Sequence, residues 1–334
     1  MSRDHDLRIE TTPLSRSDLP EVLQLITASY GAARTADPVL PPELMGGAGA
    51  VEAFIGGLLS EGAVGLTGDG RLLGFMCVSA VFPFKGLRAG LVAVPCHAAA
   101  FHDRATLYRL LYQQVGEDLR RYGARLHIVA HFAHDTLLQQ TLHELGFGAF
   151  LTERVRALSP VEAAADIEIA AEDDVAAIAD LEAEHMRYYR GPPIYLWKDD
   201  SAAAVRKRLR VHRERGDQLF VHREGKRADA FFIVGRCTGD DEGLTLRDTG
   251  TAQIMEAYTV PAARGMGIGR ALLNRSIEWA REQGYTRLFV EHETANALGS
   301  AFWARHFNPY VSFTMRYVED TSAPSPAGGR RSAV

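Results

Sequence analysis

The chain contains 334 residues, of which 46% are hydrophobic and 24% are charged, and its formal net charge at pH 7 is -5. This length is enough for two ordinary domains, and the composition is that of a soluble globular protein. A slightly acidic chain gives no sign of a nucleic-acid partner, and no apolar run is long enough to cross a membrane. We therefore expect small molecules as partners.

The N-terminal segment and the cysteines indicate a cellular compartment. Residues 1–6 are too polar for a signal peptide. Cys77, Cys96 and Cys237 lie far apart, and they form neither a CxxC pair nor a disulfide framework. We expect reduced thiols in the core, no metal and a cytoplasmic protein.

The chain contains an internal repeat. A strand, a capped turn and an amphipathic helix are predicted over residues 7–25 and again over residues 167–181. Four further positions recur with matching local spacing in both halves. They are the pairs Val94 and Val260, Arg104 and Arg270, Gly123 and Gly284, and Asp135 and Asn296. We interpret the chain as a tandem duplication with domains at residues 1–158 and 159–320, joined near residues 158–165, and a disordered tail at residues 321–334.

A glycine-rich segment follows the predicted strand at residues 253–260. It reads Arg264-Gly265-Met266-Gly267-Ile268-Gly269 and opens an amphipathic helix. Glycines can adopt positive φ and present backbone N–H groups, and the start of a helix attracts anions, so the segment predicts a phosphate site. A dinucleotide fingerprint would need a third glycine where Leu272 stands, and the Gly-Lys-Ser/Thr of a P-loop is missing. A turn that only reverses the chain is the simpler alternative.

This arginine-and-glycine pattern after a strand resembles the coenzyme A pyrophosphate loop of GNAT-type N-acetyltransferases. The resemblance covers most of both halves as a pattern of elements, although its specific motifs lie between residues 253 and 307. It implies an α/β (α+β) fold with a mixed sheet, built from two tandem GNAT-like domains. It also implies an acyltransferase that moves an acetyl group from acetyl-CoA to the amine of a small molecule.

The resemblance implies that the strand carries the pantetheine arm and that the loop amides hold the pyrophosphate. The residues that it assigns to coenzyme A are Tyr258, Val260, Arg264, Gly265, Met266, Gly267, Ile268, Gly269, Arg270, Asn296 and Trp303. At Tyr258 and Val260 the backbone would hydrogen-bond the pantetheine arm. Asn296 has a second interpretation, as the N-cap of the helix that follows it.

The first half lacks the glycine pattern. In the positions of Arg264, Gly265, Gly267 and Gly269 it carries, by the spacing of the repeat, Ala98, Ala99, Phe101 and Asp103. Phe101 would fill the space of a pyrophosphate, and Asp103 would repel it. We expect this half to serve as a scaffold or as a wall of the substrate cleft, and a different ligand remains an alternative.

Glu256 is the candidate general base. Acetyl transfer to an amine requires a neutral amine, and a carboxylate next to the loop can accept the proton. Glu256 matches the strand glutamate of the family, and partial burial would raise its pKa. An ion pair with a nearby arginine is the purely structural alternative.

The sequence offers several candidates for the group that protonates the departing thiolate. Well-known family members carry a tyrosine where this chain has Trp303, and an indole N–H is too weak an acid for the role. Tyr310 is our first candidate. His306, Tyr258 and solvent are the alternatives.

The acceptor is expected to lie against residues 182–215. Aromatic residues there can line a pocket or pack in the core, and the arginine run at residues 206–215 can be a solvated helix face or can contact an anion. Two other functions stay open, an acyl-CoA decarboxylase and a non-catalytic coenzyme A-binding module on the same fold. A monomer and a homodimer fit the sequence equally.

Overall fold

The structure is a computed structural model, which describes residues 8–162, 168–172, 178–240 and 242–319. The joining segment at residues 163–165 and the predicted tail at residues 321–334 lie outside the described residues. Parts of the two predicted strand-turn-helix segments, including residues 7, 167 and 173–177, also lie outside them.

The first half begins with a strand and two helices, continues with five strands and ends with two helix–strand pairs. Its elements are β1 (Glu10–Leu14), α1 (Leu19–Ala36), α2 (Ala48–Glu61), β2 (Ala63–Gly68), β3 (Arg71–Met76), β4 (Ala80–Phe84), β5 (Leu87–Val92), β6 (His97–Ala99), α3 (Arg104–Arg121), β7 (Leu126–Phe132), α4 (Thr136–Glu144) and β8 (Gly148–Ala157).

The second half repeats this order with one long strand in place of β4, β5 and β6. Its elements are β9 (Ala170–Glu172), α5 (Ala179–Tyr188), α6 (Ala202–Arg215), β10 (Gln218–Glu224), β11 (Arg227–Arg236), β12 (Thr251–Thr259), α7 (Ile268–Glu282), β13 (Arg287–Glu293), α8 (Ala297–His306) and β14 (Asn308–Tyr317). The predicted α/β fold with two repeated halves is confirmed.

Two of the matched pairs occupy equivalent places in the halves. Gly123 and Gly284 each follow a long helix with positive φ, 72° and 81°. Asp135 and Asn296 are the N-caps of α4 and α8, and each side chain accepts a hydrogen bond of 3.1 Å from the backbone three residues on. Short polar side chains commonly satisfy the first N–H groups of a helix in this way.

The two Val-Pro dipeptides do not occupy equivalent places in the structure. Val94 and Pro95 lie between β5 and β6, whereas Val260 and Pro261 follow the end of β12. Ala98 and Ala99, which the sequence comparison placed opposite the glycine loop, belong to β6 and are buried. The dipeptide therefore interrupts the strand in one half and ends it in the other, and the loop before α3 is shorter than the loop before α7.

The two halves exchange their last strands. In the larger sheet the order is β4-β5-β7-β14-β8-β13-β12-β11-β10-β9. Strand β8 of the first half lies between β13 and β14, and β14 of the second half lies between β7 and β8. A second sheet, β1-β2-β3-β6, belongs to the first half.

The hydrophobic cores follow the same exchange. The core under the first half includes Phe289, Tyr310 and Val311 from the second half. A separate core packs α5, α6 and α7 against β10 to β13. Among the described residues, no helix combines the length and the apolar character required to cross a membrane.

Candidate functional site

The site begins where two parallel strands separate. Strand β12 pairs with β13 only from Thr251↔Arg287 to Ile254↔Val290, while its other edge stays paired with β11 as far as Thr259. A register shift beside Ile254 bends β12 away from β13. The separation opens a cavity of about 690 Å³, bounded by α5, by the loop before α7 and by α8.

The glycine loop lies at one end of this cavity. Gly265 and Gly267 have φ of 79° and 89°, a region that favours glycine. Within the described residues, no backbone carbonyl accepts a hydrogen bond from the N–H groups of Gly265, Met266 or Gly267. A Cβ on Gly269 would lie 3.2 Å from the ring of Phe302, so glycine lets the first turn of α7 pack closely on α8. The loop therefore offers N–H groups and a helix start to an anion.

Positive side chains surround the same end. The Nε of Arg264 donates a hydrogen bond of 3.0 Å to the Thr259 carbonyl, and its guanidinium lies over the rings of Tyr188 and Tyr258 at 5.0 and 5.7 Å. Arg270 and Arg305 also line the cavity. This end of the cavity is suited to a phosphate-bearing ligand.

Glu256 lies at the other end, just beyond the point of separation. Its side chain is 18% exposed, and its Oε2 is 3.4 Å from Nδ1 of His185 on α5. Burial raises the pKa of Glu256, the charge of Glu182 raises it further, and His185 lowers it. Within the described residues, the side chain at ion-pair distance from Glu256 is this histidine, and the alternative of an arginine partner is not found.

Glu182 and Arg208 continue this arrangement away from the cavity. The Oε2 of Glu182 lies 3.3 Å from Nδ1 of His185, and Oε1 lies 3.0 Å from Nε of Arg208. Burial raises the pKa of Glu182, but its contacts with His185 and Arg208 outweigh burial and hold that pKa below its ordinary value.

A second carboxyl, Glu291, lines the cavity on β13. Glu291 is directly opposite Glu153 of β8, so the first half supplies its neighbour. Directly opposite side chains share one face of a sheet. Burial and the charges of Glu242 and Glu153 raise the pKa of Glu291 well above its usual range, and burial raises the pKa of Glu153 to about 8. When two carboxyls lie close together in a buried place, the negative charge of one disfavours ionisation of the other.

The aromatic residues of α5 close the side of the cavity. The Tyr188 hydroxyl donates to Oδ1 of Asn296 at 3.0 Å, and the Tyr258 hydroxyl donates to Glu184 at 2.9 Å. Burial and the contact with Glu184 raise the pKa of Tyr258 to about 12. Asn296 thus acts as the helix N-cap and also meets α5. Tyr195 and Trp197 are 73% and 71% exposed and do not line this cavity.

Two predicted site residues require correction. Tyr310 is 3% exposed and packs on Phe132, 5.8 Å between ring centroids, within the core of the first half. It is absent from the cavity lining because β14 leaves the end of α8 and crosses to the other half. Val260 does not line the cavity either, and its N–H donates to the Asp229 carbonyl at 2.9 Å, so that group is not available to a ligand.

The remaining predicted residues are brought together. Those that line the cavity are Glu256, Tyr258, Arg264, Gly265, Gly267, Ile268, Gly269, Arg270, Asn296 and Trp303. Met266 is 65% exposed at the loop tip. Trp303 is 6% exposed and packs on Phe232 at 5.7 Å, which makes it chiefly a wall of the cavity.

The corresponding cleft of the first half is filled by its own side chains. His97 on β6 makes a hydrogen bond of 2.7 Å through Nε2 with the Ala130 carbonyl on β7, just beyond the point where the pairing of β7 with β5 ends at Val129. Its Nδ1 lies 3.3 Å from the Tyr108 hydroxyl. Arg104, at the start of α3, forms an ion pair with the N-cap Asp135. The space that is open in the second half is occupied here.

The sequence did not single out Glu182 as a functional residue. Its signal was the spacing Glu182 to His185, which places both side chains on one face of a helix. The sequence indicated His185 as one aromatic residue of a possible acceptor pocket and as a base if Glu256 proves structural. Glu182, His185 and Glu256 offer donor atoms within 4.8 Å of one another, a grouping that could hold a metal ion. His185 and Arg208 already supply partners for the buried carboxylate of Glu182. Contacts among the side chains are therefore enough to explain the cluster, and we assign no metal to it.

Comparison with known proteins finds a likeness in the second half of the chain. Residues 178–307 match the profile of the acetyltransferase (GNAT) family. This part of the chain is similar to that family. Streptothricin acetyltransferase A of Bacillus subtilis is 32% identical over 92 residues, which cover 27% of this chain and 51% of that relative. The chain therefore spans about half the length of this curated relative.

Solved structures extend the likeness of fold to both halves. A GCN5-related N-acetyltransferase from Sphaerobacter thermophilus has a TM-score of 0.58 at 17% identity, covering 92% of this chain and 95% of that chain. A GCN5-related glucosamine N-acetyltransferase region of a fungal multi-domain β-N-acetylglucosaminidase has a TM-score of 0.52 at 10% identity, covering 95% of this chain and 39% of that chain. At these identities the likeness concerns the fold alone.

Proposed function

We propose that the protein is an N-acetyltransferase that moves the acetyl group of acetyl-CoA to the amine of a small cationic molecule. This proposal rests on the distribution of charge along the cavity. Arginines and open backbone N–H groups lie at one end, and the carboxyls of Glu256 and Glu291 lie near the point where the strands separate. A phosphate-bearing donor and an ammonium-bearing acceptor would be attracted to opposite ends.

The donor end fits coenzyme A for local reasons. Bound acetyl-CoA would supply an acetyl group already activated as a thioester. The loop N–H groups, with Arg264 and Arg270, would hold its pyrophosphate. The edge of β12 beyond Ile254 would receive its pantetheine arm, because no strand among the described residues pairs with it on that side.

Glu256 would act as the general base. An ammonium must lose a proton before its nitrogen can attack a carbonyl carbon, and Glu256 is the ionisable residue of β12 that lies next to the point where β12 leaves β13. Its raised pKa brings it closer to the value at which a carboxylate is an effective base near neutral pH. No tyrosine of α8 is available to protonate the thiolate. His306, which lines the cavity, Tyr258, whose hydroxyl is engaged by Glu184, and solvent are the candidates for that step.

The relative suggests a first acceptor to test. Streptothricin acetyltransferase A is named for streptothricin, and this chain matches only about half of it. We therefore propose streptothricin as one member of a panel that also contains lysine, spermidine and glucosamine. The panel separates acceptors by charge and size without assuming the acceptor of the relative.

The experiment is a screen of this panel with purified protein, acetyl-CoA and a colorimetric thiol reagent. We expect thiol release that depends on an amine, with the acetylated amine identified by mass spectrometry. Release of carbon dioxide from an acyl-CoA without any acceptor would indicate a decarboxylase instead. Coenzyme A binding without turnover of any panel member or acyl donor would favour a binding module.

A further inference from the structure

The residues behind Glu256 form a continuous contact from the helices to the cavity. Arg208 on α6 meets Glu182 on α5 at 3.0 Å, Glu182 meets His185 at 3.3 Å, and His185 meets Glu256 at 3.4 Å. Glu182 and His185 are both buried. A buried carboxylate is costly unless it is paired, and here the pairing runs towards the general base of the proposed function.

The ring of His185 is fixed by its surroundings. It packs against Tyr189 and Tyr258 with centroids at 5.2 Å in each case, and edge-on against Phe231 at 6.1 Å. With rings on these sides, a rotation of the imidazole would break its packing. Nδ1 therefore stays directed at the two carboxylates.

The chemistry of the neighbours determines the proton on Nδ1. Ionised carboxylates only accept hydrogen bonds, so the nitrogen between Glu182 and Glu256 must carry a proton to interact favourably with both. Of the two carboxylates, Glu182 makes the hydrogen bond with Nδ1, at 3.3 Å through Oε2, while Oε2 of Glu256 lies at ion-pair distance, 3.4 Å from the same nitrogen. This electrostatic contact holds Oε2 of Glu256 beside His185, and the other oxygen of the carboxylate is left to accept a proton from the acceptor amine.

From this geometry we infer that His185 is a positioning residue for the proposed acetyl transfer, which holds the Glu256 carboxylate towards the cavity from a rigid layer of helices. Glu182 and Arg208 in turn hold His185. This inference rests on the proposed function only in taking Glu256 as the base. The contact between His185 and Glu256 can be tested without any turnover.

Several charged or titratable groups face Glu256, and the test has to separate them. They are Glu182 and His185 on α5, Tyr189 just after it, Lys198 in the next loop and His212 on α6. Among these, His185 is the one whose ring nitrogen reaches the carboxylate at 3.4 Å. Substitution of His185 should therefore have an effect that a distant histidine does not reproduce.

The variants are His185→Leu, which removes the donor, and His185→Asn, whose amide nitrogen can stand close to the position of Nδ1. His222→Asn is the matched control, since His222 pairs with Asp229 at 2.6 Å and does not line the cavity. We expect His185→Leu to lower turnover about 10- to 100-fold, because a misplaced base loses its alignment. His185→Asn should restore most of the loss, and His222→Asn should match the wild type.

The pH dependence of kcat/KM is a second measurement, and a general loss of packing would not shift its low-pH limb. Because His185 lowers the pKa of Glu256, its removal should shift the low-pH limb of kcat/KM upward by about one pH unit. Coenzyme A affinity by calorimetry should stay unchanged. A limb that stays in place in His185→Leu, or equal losses in His185→Leu and His185→Asn, would overturn the inference.

A spectroscopic arm separates this inference from the proposed function. In protein labelled with ¹⁵N-histidine, the His185 signal, assigned by its loss in His185→Asn, should show a protonated Nδ1 and should move in Glu256→Gln. The His222 signal should not move. If no panel amine is acetylated but these shifts are found, the contact stands and the proposed function fails. If the chemical shift of His185 is the same in Glu256→Gln as in the wild type, the inference fails regardless of activity.

Discussion

At the residue scale, Glu256 combines the position and the environment of a general base. It lies at the separation of β12 and β13, it is only partly exposed, and burial raises its pKa. A raised pKa keeps a carboxyl protonated to a higher pH than usual. Activity that depends on the ionised form should therefore decline on the acid side above the pH at which an ordinary glutamate titrates.

Glu256→Gln retains size and hydrogen bonding while it removes basicity. We expect turnover to fall by about 10²–10⁴-fold with little change in coenzyme A affinity. The low-pH limb of the rate profile should shift or disappear. Glu224→Gln, on an exposed end of β10, is the control. If Glu256→Gln keeps near-normal turnover at pH 7, the base must be sought at His185, Glu291 or His292.

Glu153 gives a prediction about stability. Burial raises its pKa from 4.5 to about 8. A carboxyl whose pKa is raised on folding contributes stability below its unfolded pKa, and this contribution is lost as the pH rises through the folded pKa. The wild type should therefore lose stability from this group between about pH 5 and pH 8.

Glu153→Gln removes that loss, because an amide stays neutral and its oxygen can still accept the 3.0 Å hydrogen bond from Gly243. We expect a Tm close to that of the wild type at pH 5 and about 2–4 °C higher at pH 8, measured by thermal unfolding. Glu224→Gln again serves as the control. An offset of the same size at both pH values would mean that packing, and not ionisation, is responsible.

At the element scale, the loop before α7 should decide where coenzyme A binds. Gly267 has a φ of 89°, and its N–H has no backbone acceptor among the described residues. Gly267→Asp adds a negative charge beside the proposed pyrophosphate site. We expect calorimetry to give one site per chain for the wild type, and at least about a tenfold loss of affinity for the variant.

Gly267→Asn is the matched variant for this test. Asparagine has the same size as aspartate and tolerates positive φ nearly as well, so the difference between the two variants isolates the charge. The variant with asparagine should bind more tightly than the one with aspartate. Two equivalent sites, or binding untouched by Gly267→Asp, would show that the loop is not the coenzyme A site.

Short sequence patterns predicted those structural features that depend on only a few consecutive residues. The glycine loop, the strand before it and the N-cap at Asn296 follow from backbone freedom and from hydrogen bonding within one turn. The Val-Pro match failed because a dipeptide does not reveal whether a strand continues after it. In the first half β6 follows Pro95, whereas β12 ends before Pro261.

Long-range pairing accounts for the other failures. Nothing near Tyr310 in the sequence indicates that β14 crosses to the first half, where it pairs with β7 and β8. Likewise, the Glu182 and His185 spacing predicts a shared helix face, but their contact with Glu256 depends on how α5 packs on the sheet. The raised pKa of Glu291 depends on Glu153 from the other half.

At the scale of the whole molecule, the halves differ in what their clefts can accept. The cleft of the second half is an open cavity of about 690 Å³. In the first half, the contact from His97 to the Ala130 carbonyl and the ion pair of Arg104 with Asp135 occupy the corresponding region. We therefore regard the first half as a structural partner and the second as the site of chemistry.

This division of roles explains why the first half should be indispensable. Strand β8 pairs with β13 from Arg287↔Ala157 to Glu293↔Leu151, and β14 is paired on both sides by strands of the first half. Without the first half, β14 has no partner strand and the outer edge of β13 is bare. Unpaired apolar edges promote aggregation. Phe289 and Val311 would also lose the core in which they are buried.

We therefore expect residues from about 167 onward, expressed alone, to be poorly soluble or inactive. The measurement is the soluble yield and the thiol-release activity of this fragment, compared with the same fragment co-expressed with residues 1–162. Co-expression should recover soluble protein and activity, since the exchanged strands can pair between separate chains as they do within one. The matched control is the intact chain prepared in parallel. Full activity from the isolated fragment would show that β8 is not needed to hold β13 and that the first half is dispensable for catalysis.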